Sequence, residues 1–284
     1  EGASARCRRT GRTCHRSRQP ITLGPVSGAL DTIFGGNLDW LFWPPARPHP
    51  EWAWLGHIPF AHWLVGAARP RVIVELGTHI GASYAAFCDA VVRHGVAARC
   101  YAVDTWAGDR HSGAYAEAVF AELNAFNTAR FSAFSTLLRV SFDAALEQFS
   151  DGTIDLLHID GFHTYDAVRH DFETWRPKLS DRAIVLLHDT AERQDDFGVW
   201  KYWEELRQTY RGFAFEHSHG LGVLRVGEHA EGPATVLFGD MAADEANRIR
   251  ERFAALGETP RWMARAFQFR AENERLRARL GQSR

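Results

Sequence analysis

Short apolar runs alternate with amphipathic stretches over the middle of the chain, and this alternation predicts an α/β fold. The runs with the length and composition of buried strands cover residues 72–76, 100–103, 135–139, 154–159 and 183–187. The stretches between them carry apolar positions at helical spacing over residues 82–94, 114–126, 142–149 and 165–179. Because strands that alternate with helices form right-handed crossovers, we expect a parallel sheet with helices on both faces.

The pattern changes after the last of these strands. A helix is predicted over residues 199–210, and residues 213–226 contain two apolar runs joined by a short loop with glycine. This arrangement predicts a hairpin, so the sheet should close with antiparallel strands. Beyond Gly239 the chain is helical and charged, and a heptad-like seam with one asparagine passes through Trp262, Ala266, Phe269, Asn273, Leu276 and Leu280. The seam is short, and it suits a dimer contact, a linker to another domain or a docked terminal helix.

The N-terminal part of the chain divides into two segments of different composition. Residues 1–22 are rich in Arg, Gly, Ser and Thr, and we expect a disordered basic tail rather than an arm for an anionic partner. Residues 23–68 form an arm with many tryptophans and prolines, and the prolines exclude a long helix before residues 58–68. Its aromatic rings must bury against the domain itself, a partner subunit or a substrate, and packing is favoured over a substrate lid. The main domain should then cover residues 69–228, with a helical extension over 229–284.

Composition excludes several classes of protein. The 33 basic and 35 acidic residues nearly cancel, so no overall charge favours nucleic acid. The four cysteines show no spacing typical of a zinc site, and Cys88 and Cys100 fall where small core side chains are expected. No apolar run reaches the length of a membrane span, and the N-terminus lacks the apolar core of a signal peptide. A reducing, cytoplasmic setting fits best.

Glycines follow the first predicted strand at the point where it joins its helix. Gly77 and Gly81 let the backbone approach a ligand at a helix N-terminus, which is the usual cofactor position in an open sheet. Glu75 at the strand end suits a cofactor with an amino group, and a tight turn alone is nearly as good an explanation. The spacing is not GxGxxG, which disfavours a dinucleotide. The candidate cofactor residues of this turn are Glu75, Gly77, Thr78, Gly81 and Ser83.

The second predicted strand ends at another carboxylate, Asp104. A carboxylate in this place can accept both hydroxyls of an adenosine ribose. Thr105 and Trp106 follow directly, and the indole is a candidate for stacking on adenine. Together with the glycine turn, these residues predict a site for an adenosine-containing cofactor.

Histidine and aspartate end the fourth and fifth predicted strands. If these strands are parallel neighbours, Asp160 and Asp189 leave the sheet side by side and can share a hard cation such as Mg²⁺. His188 is a candidate third ligand, although imidazole is less natural for Mg²⁺ than carboxylate. His163, on the loop, is placed to act as a general base near neutral pH. Alternatively Asp160 caps the next helix, and His158 is better explained as a satisfied core histidine.

With these residues placed, the chain resembles a class I S-adenosylmethionine-dependent methyltransferase. The resemblance is closer to the branch with macrolide sugar O-methyltransferases and cephalosporin-hydroxylase-like proteins. It is carried by residues 74–84, 102–109, 154–165, 187–190 and 220–226. It implies a Rossmann-like seven-stranded sheet, mostly parallel with a C-terminal antiparallel hairpin, and S-adenosyl-L-methionine as methyl donor.

The resemblance also implies roles for the histidines and aspartates. Asp160 and Asp189 would hold a divalent cation, and His163 would take the proton from the hydroxyl of a small-molecule or glycan acceptor. Sugar methyltransferases of this kind carry an acidic residue where this chain has His188, which puts the third ligand and metal dependence in question. The competing hypotheses are a non-catalytic module in glycan assembly, a metal-dependent hydrolase and a nicotinamide oxidoreductase. A homo-oligomer would form through the N-terminal arm or the C-terminal helix.

Overall fold

The fold is described by a computed structural model over residues 28–49, 53–110 and 113–281. The predicted basic tail, with Cys7 and Cys14, lies outside these residues. The strands of the main sheet are β1 (Val72–Leu76), β2 (Arg99–Asp104), β3 (Ser135–Arg139), β4 (Ile154–Ile159), β5 (Leu179–His188), β6 (Arg211–Phe215) and β7 (Leu221–Arg225). The α-helices are α1 (Ala29–Phe34), α2 (Ile58–Ala68), α3 (Ala82–Arg93), α4 (Glu117–Phe131), α5 (Phe142–Ala145), α6 (Tyr165–Trp175), α7 (Val199–Thr209) and α8 (Ala243–Gly281).

The seven strands form one sheet in the order β3-β2-β1-β4-β5-β7-β6. The first five strands of the chain pair in parallel, and β7 pairs antiparallel with both β5 and β6. This confirms the predicted mostly parallel, seven-stranded sheet with a closing antiparallel hairpin. It also confirms that the fourth and fifth strands are parallel neighbours.

Alternate side chains of each strand enter two separate cores, because a strand points successive residues to opposite faces. On one face Ile73 and Cys100 pack with the N-terminal arm, α2, α3 and part of α8. On the other face Val74 and Leu157 pack with α5, α6 and α7. Cys88 belongs to the first core, and both it and Cys100 are free and fully buried, as expected.

Several element boundaries differ from the predictions. The helix predicted over 114–126 begins only at Glu117, because residues 113–114 pair with 108–109 in a small hairpin. The helix predicted to reach residue 179 ends at Trp175, because Pro177 follows and the next turn is 3₁₀. The fifth strand is longer than predicted and begins at Leu179.

The aromatic arm packs mainly on the protein's own helices. Trp40 stacks on Phe253 of α8, and Trp63 on α2 is also buried. Before α2 the arm contains only the short helix α1 and 3₁₀ turns in its described residues, as the prolines predicted. None of the helices described is long and apolar enough to cross a bilayer.

Candidate active site

The main cleft lies at the carboxyl edge of the sheet, where the strand order reverses between β1 and β4. Open α/β sheets bind ligands at this topological switch point. The cleft has a volume of about 460 Å³ and extends from the turn after β1 to the ends of β4 and β5. A smaller cavity of about 250 Å³ adjoins it and reaches the end of β2. His163 and Gly77 line both, so the two spaces meet at these residues.

The turn between β1 and α3 can be built only with glycine at its first position. Gly77 has φ +83°, and a Cβ there would overlap the carbonyl oxygen of Asp160. The turn therefore contacts the segment that follows β4, and it brings the predicted cofactor residues beside the aspartates. Thr78 and Ser83 are buried and line the cleft, and the Thr78 hydroxyl has no hydrogen-bond partner among the described residues.

Asp104 organises the loops around the smaller cavity. Its Oδ2 accepts hydrogen bonds from the backbone N–H groups of Thr78 at 2.9 Å and His79 at 2.8 Å. Its Oδ1 accepts from the backbone N–H of Trp106 at 2.7 Å. The carboxylate thus joins the end of β2 to the glycine turn. Its remaining acceptor capacity lies beside the cavity that it lines.

The two residues after Asp104 lie in different environments. Thr105 lines the smaller cavity. Trp106 is 2% exposed, packs on Phe120, and donates its indole N–H to the carbonyl oxygen of His79 at 2.7 Å. Trp106 lines neither cavity, so the structure puts it beneath the loop and gives no support to its stacking on adenine.

Glu75 is fully buried beneath the cleft rather than in its lining. Its Oε2 accepts a hydrogen bond from His158 Nδ1 at 2.8 Å, and the indole N–H of Trp54 donates to His158 Nε2 at 3.1 Å. Because the indole can only donate, the proton of neutral His158 lies on Nδ1. Burial raises the pKa of Glu75, opposed chiefly by His158, and its Oε1 makes no hydrogen bond of normal geometry with described residues.

Aromatic residues that the sequence analysis did not select line the smaller cavity. Phe142 begins α5 directly after β3, and Phe162 follows β4. The guanidinium of Arg110 lies 5.0 Å from the centre of the Phe162 ring. Both residues follow parallel strands at the sheet edge where Asp104 and Asp160 also lie. This position in the sequence could have identified them as candidate cavity residues. These rings, rather than Trp106, are the aromatic surfaces that face the cavity.

Two carboxylates and two imidazoles converge where β4 and β5 end. His163 Nε2 lies 2.9 Å from Asp189 Oδ2 and 3.5 Å from Asp160 Oδ1, and ligand atoms of these three residues lie within 4.8 Å of one another. His188 Nδ1 lies 3.1 Å from Asp160 Oδ1 and 3.4 Å from Asp189 Oδ1. The structure therefore brings together the predicted base and all three predicted metal ligands.

The charges of this cluster shift its pKa values strongly. Burial disfavours a charged imidazole, but hydrogen bonds to Asp160 and Asp189 outweigh it and raise the pKa of His163 to about 9. The pKa of His188 also lies well above its usual range, because the charges of Asp189 and Asp160 overcome burial. Conversely, the neighbouring histidines hold the pKa values of both aspartates well below their usual range despite burial. The two imidazolium rings thus balance the carboxylates in this state.

The backbone and a neighbouring ring fix the orientation of this cluster. Asp189 adopts φ +60°, a left-handed conformation that aspartate tolerates better than most residues. The ring of Phe197 stacks on the His163 ring at 4.9 Å with an interplanar angle of 4°. The backbone N–H of Gly198 donates to the His163 carbonyl at 2.8 Å. These contacts hold the imidazole in one plane against the carboxylates.

The donor atoms present suit the groups that the resemblance implies. Two carboxylates with an imidazole form an oxygen and nitrogen donor set for a divalent cation. The Thr78 hydroxyl and Glu75 Oε1 are buried polar atoms that the described residues leave without a normal hydrogen bond. Of the two residues, only Thr78 lines the cleft, so a bound cofactor would satisfy its hydroxyl, whereas Glu75 lies beneath the lining.

Comparisons with known proteins find similar sequences. A family model described as a methyltransferase domain matches residues 74–190. The curated relative named uncharacterized protein y4gI, from Sinorhizobium fredii, is 48% identical over 220 residues, which cover 76% of this chain and 24% of the relative. The chain thus spans about a quarter of the length of that relative.

Two methyltransferases are among the solved structures that match part of this chain. The O-methyltransferase TomG from Streptomyces achromogenes, involved in tomaymycin synthesis and solved with SAM, has a TM-score of 0.46 and 14% identity over 62% of this chain and 87% of that chain. The SAH-bound methyltransferase PaMTH1 from Podospora anserina has a TM-score of 0.46 and 14% identity over 60% of this chain and 77% of that chain.

The matched segment contains every cleft residue from Gly77 to Asp189. Its strand order is that of an open sheet with a switch point between β1 and β4. The part of the chain that forms the cleft thus matches a methyltransferase-domain family model over residues 74–190.

Proposed function

We propose that the protein transfers a methyl group from S-adenosylmethionine to a hydroxyl of a sugar or a glycosylated small molecule. Asp160, Asp189 and His188 would hold a divalent cation beside the acceptor hydroxyl, and His163 would be the general base. The observation that carries the proposal is the meeting of the two cavities at His163, with the cofactor turn on one side and the aspartates of β4 and β5 on the other.

The two cavities suit the two substrates. The smaller cavity offers Asp104, Thr105 and the rings of Phe142 and Phe162 to an adenosine group. The turn from Gly77 to Ser83 lies between this cavity and the aspartates and offers backbone and hydroxyl groups to the rest of the cofactor. When bound, S-adenosylmethionine supplies an electrophilic methyl group, and a divalent cation lowers the pKa of a hydroxyl beside it.

His163 can accept the proton of the acceptor hydroxyl only when its ring is neutral. This requires that another positive charge balances the carboxylates of Asp160 and Asp189. With its pKa raised to about 9, the ring is protonated at neutral pH and cannot act as a base. Once the charges of Asp160 and Asp189 are balanced otherwise, the pKa of His163 falls towards its ordinary value. Base catalysis is thereby coupled to occupation of the cation site.

The other residues that line the main cleft favour an uncharged acceptor with hydroxyl groups. Glu192, Gln194 and Asp195 supply polar groups, and the rings of Trp54 and Tyr115 supply flat faces. No Lys or Arg is among the residues that line the cleft within the described ranges. A phosphate-bearing acceptor would call for such cations. These features support a sugar rather than an anionic acceptor.

Calorimetric titration with S-adenosylmethionine tests the donor half of the proposal. We expect binding, and we expect Thr78→Val and Ser83→Ala to weaken it by about fivefold to tenfold, since a hydrogen bond contributes about 1 kcal/mol. Thr136→Val, on the exposed side of β3, is the matched control and should bind as the wild type does. Absence of binding by the wild-type protein would overturn the proposal.

A screen of glycosylated acceptors, with and without EDTA, tests the acceptor half. We expect His163→Ala to bind S-adenosylmethionine normally while the rate of methyl transfer falls by a factor of about 10² to 10⁴. A scaffold module would bind the donor and methylate nothing. A metal-dependent hydrolase would bind a cation but no S-adenosylmethionine, so the titration and the acceptor screen together separate these hypotheses from the proposal.

A further inference from the structure

The loop between β6 and β7 has an unusual backbone. Ser218, His219 and Gly220 all have positive φ, at +54°, +65° and +91°. Successive left-handed residues are costly unless the surroundings fix them, and such strain often accompanies a functional constraint. In this loop the strain turns the carbonyl of Ser218 towards the end of β5.

Two other parts of the chain hold this loop in place. Arg261 of α8 donates a hydrogen bond to the Ser218 hydroxyl at 2.6 Å. Gly56 of the N-terminal arm lies so close that a Cβ there would overlap the same hydroxyl, and a Cβ at Gly257 of α8 would overlap the Gly56 carbonyl. The arm, α8 and the loop therefore meet around Ser218.

The Ser218 carbonyl determines which ring nitrogen of His188 faces the aspartates. His188 Nε2 lies 3.0 Å from this carbonyl oxygen, and both groups are buried. A carbonyl only accepts, so Nε2 keeps its proton and donates it. Nδ1, at 3.1 Å from Asp160 Oδ1 and 3.4 Å from Asp189 Oδ1, is then the nitrogen that a cation would bind, and its proton would leave to solvent when the cation takes its place. Histidines that ligate metals commonly donate their other N–H to a backbone carbonyl in this way.

His163 has a different environment. Its side chain is 17% exposed, against 5% for His188, and its ring lies on Phe197 at the junction of the two cavities. Both rings line the main cleft, but His163 is the more exposed and also lines the smaller cavity, whereas His188 is the more buried. This division leaves His163 as the base and His188 as the ligand.

We infer that His188 Nδ1, oriented by the Ser218 carbonyl and by Arg261, makes this centre a mixed nitrogen and oxygen site that selects a first-row transition ion such as Co²⁺ over Mg²⁺. The inference rests on the proposed function for the position of the cation. Imidazole ligands suit such ions, whereas a site of carboxylates and water suits Mg²⁺. Ser218 and Arg261 are positioning residues, since they act on the cation only through His188.

Pulsed electron paramagnetic resonance on the Mn²⁺-loaded protein, without donor or acceptor, identifies the nitrogen ligand. We expect a ¹⁴N coupling to Mn²⁺ in the wild type, its loss in His188→Asp and its retention in His163→Ala. A coupling that survives in His188→Asp, or that disappears in His163→Ala, would overturn the inference. If His188→Asp does not fold, the His163→Ala spectrum decides alone.

Titrations with Mg²⁺ and Co²⁺ test the selectivity. We expect His188→Asp to lower the ratio of the Mg²⁺ to the Co²⁺ dissociation constant by at least about tenfold, because a carboxylate replaces the imidazole. An unchanged ratio contradicts the inference. Absence of a ¹⁴N coupling in wild-type protein that binds S-adenosylmethionine defeats this inference alone, whereas failure of the wild-type protein to bind S-adenosylmethionine defeats the proposed function.

The role of α8 is tested with Arg261. We expect Arg261→Gln to weaken Co²⁺ binding by about tenfold and to change the visible spectrum of bound Co²⁺, with partial recovery in Arg261→Lys. Arg265→Gln, whose guanidinium lies on Trp262 of the same helix, is the matched control and should change neither property. Wild-type affinity and spectrum in Arg261→Gln would show that the loop does not position His188.

Discussion

Asp171 on α6 carries a carboxyl group that the fold buries without a counter-charge close enough to balance it. Burial raises its pKa to about 7, partly opposed by His170. Since this folded-state pKa lies above the unfolded value, the fold loses stability as the pH rises from about 4 to 7, and the penalty stays constant above that range.

Asp171→Asn should therefore stabilise the protein, and more at pH 8 than at pH 5. We expect a gain on the order of 2–4 kcal/mol in the free energy of unfolding at pH 8, measured by urea denaturation. Asp166→Asn, at an exposed position of the same helix, serves as control and should give no gain that depends on pH in this range. Equal effects of Asp171→Asn at the two pH values would contradict the prediction.

Alanine substitutions at Gly77 and Gly95 distinguish two contributions to the free energy of unfolding: the strain of a left-handed backbone and the effect of a steric clash. Both have positive φ, but a Cβ at Gly95 would meet nothing within 4 Å, whereas one at Gly77 would overlap Asp160. We expect Gly95→Ala to cost about 1 kcal/mol and to leave binding of S-adenosylmethionine unchanged. Gly77→Ala should cost more and abolish binding, as measured by denaturation and calorimetry. Normal cofactor binding by Gly77→Ala would show that the turn tolerates displacement.

At the scale of elements, α8 has two halves with different roles. In the first half Ile249 and Phe253 are fully buried against the arm and α2. In the second half Trp262 and Phe269 are 63% and 64% exposed. The heptad-like seam predicted from the sequence thus lies mainly in the exposed half of α8, although Ala264 within it is still buried in the core. Whether it forms a dimer contact stays a prediction.

Phe253→Ala and Phe269→Ala form a matched pair on this helix. We expect Phe253→Ala to lower the free energy of unfolding by about 3–5 kcal/mol, because it leaves a cavity in the core. Phe269→Ala should change it by less than about 0.5 kcal/mol in the monomer. Chemical denaturation at low protein concentration measures both. A large effect of Phe269→Ala at that concentration would mean that the second half packs on the domain after all.

At the scale of the whole molecule, one core connects segments that are far apart in the chain. Phe253 contacts Trp40 of the arm, Phe60 of α2 and Phe215 of β6. The arm and the first half of α8 should therefore unfold together with the sheet. We expect denaturation curves from tryptophan fluorescence and far-ultraviolet circular dichroism to coincide, and an earlier fluorescence transition would show that the arm detaches first.

The periodicity of apolar residues was enough to predict the strands and the edge of the sheet at which the candidate site residues lie. Strand ends are local features, so Asp104, Asp160 and Asp189 could be assigned to one edge before the fold was known. The contacts that decide each residue's role are not local. Trp54 reaches His158 across 104 positions, and Arg261 reaches Ser218 across 43. The residue pattern within a single helix or strand does not indicate such long-range contacts.

Trp106 illustrates the same limit at a single position. Its place after the second strand suggested a surface for adenine, but its φ of +50° and its bond to His79 turn the ring inward. A backbone conformation that is unusual for tryptophan could not be foreseen from the sequence.

The buried chain of Glu75, His158 and Trp54 has a consequence for the interpretation of mutants. Removing the Glu75 carboxylate strips His158 of its acceptor inside the protein, so the tautomer that Trp54 requires is no longer enforced. The wall that Trp54 contributes to the cleft would shift with it. A Glu75 variant that fails to bind the methyl donor would therefore report a rearranged interior, and it would not by itself identify Glu75 as a ligand of the donor.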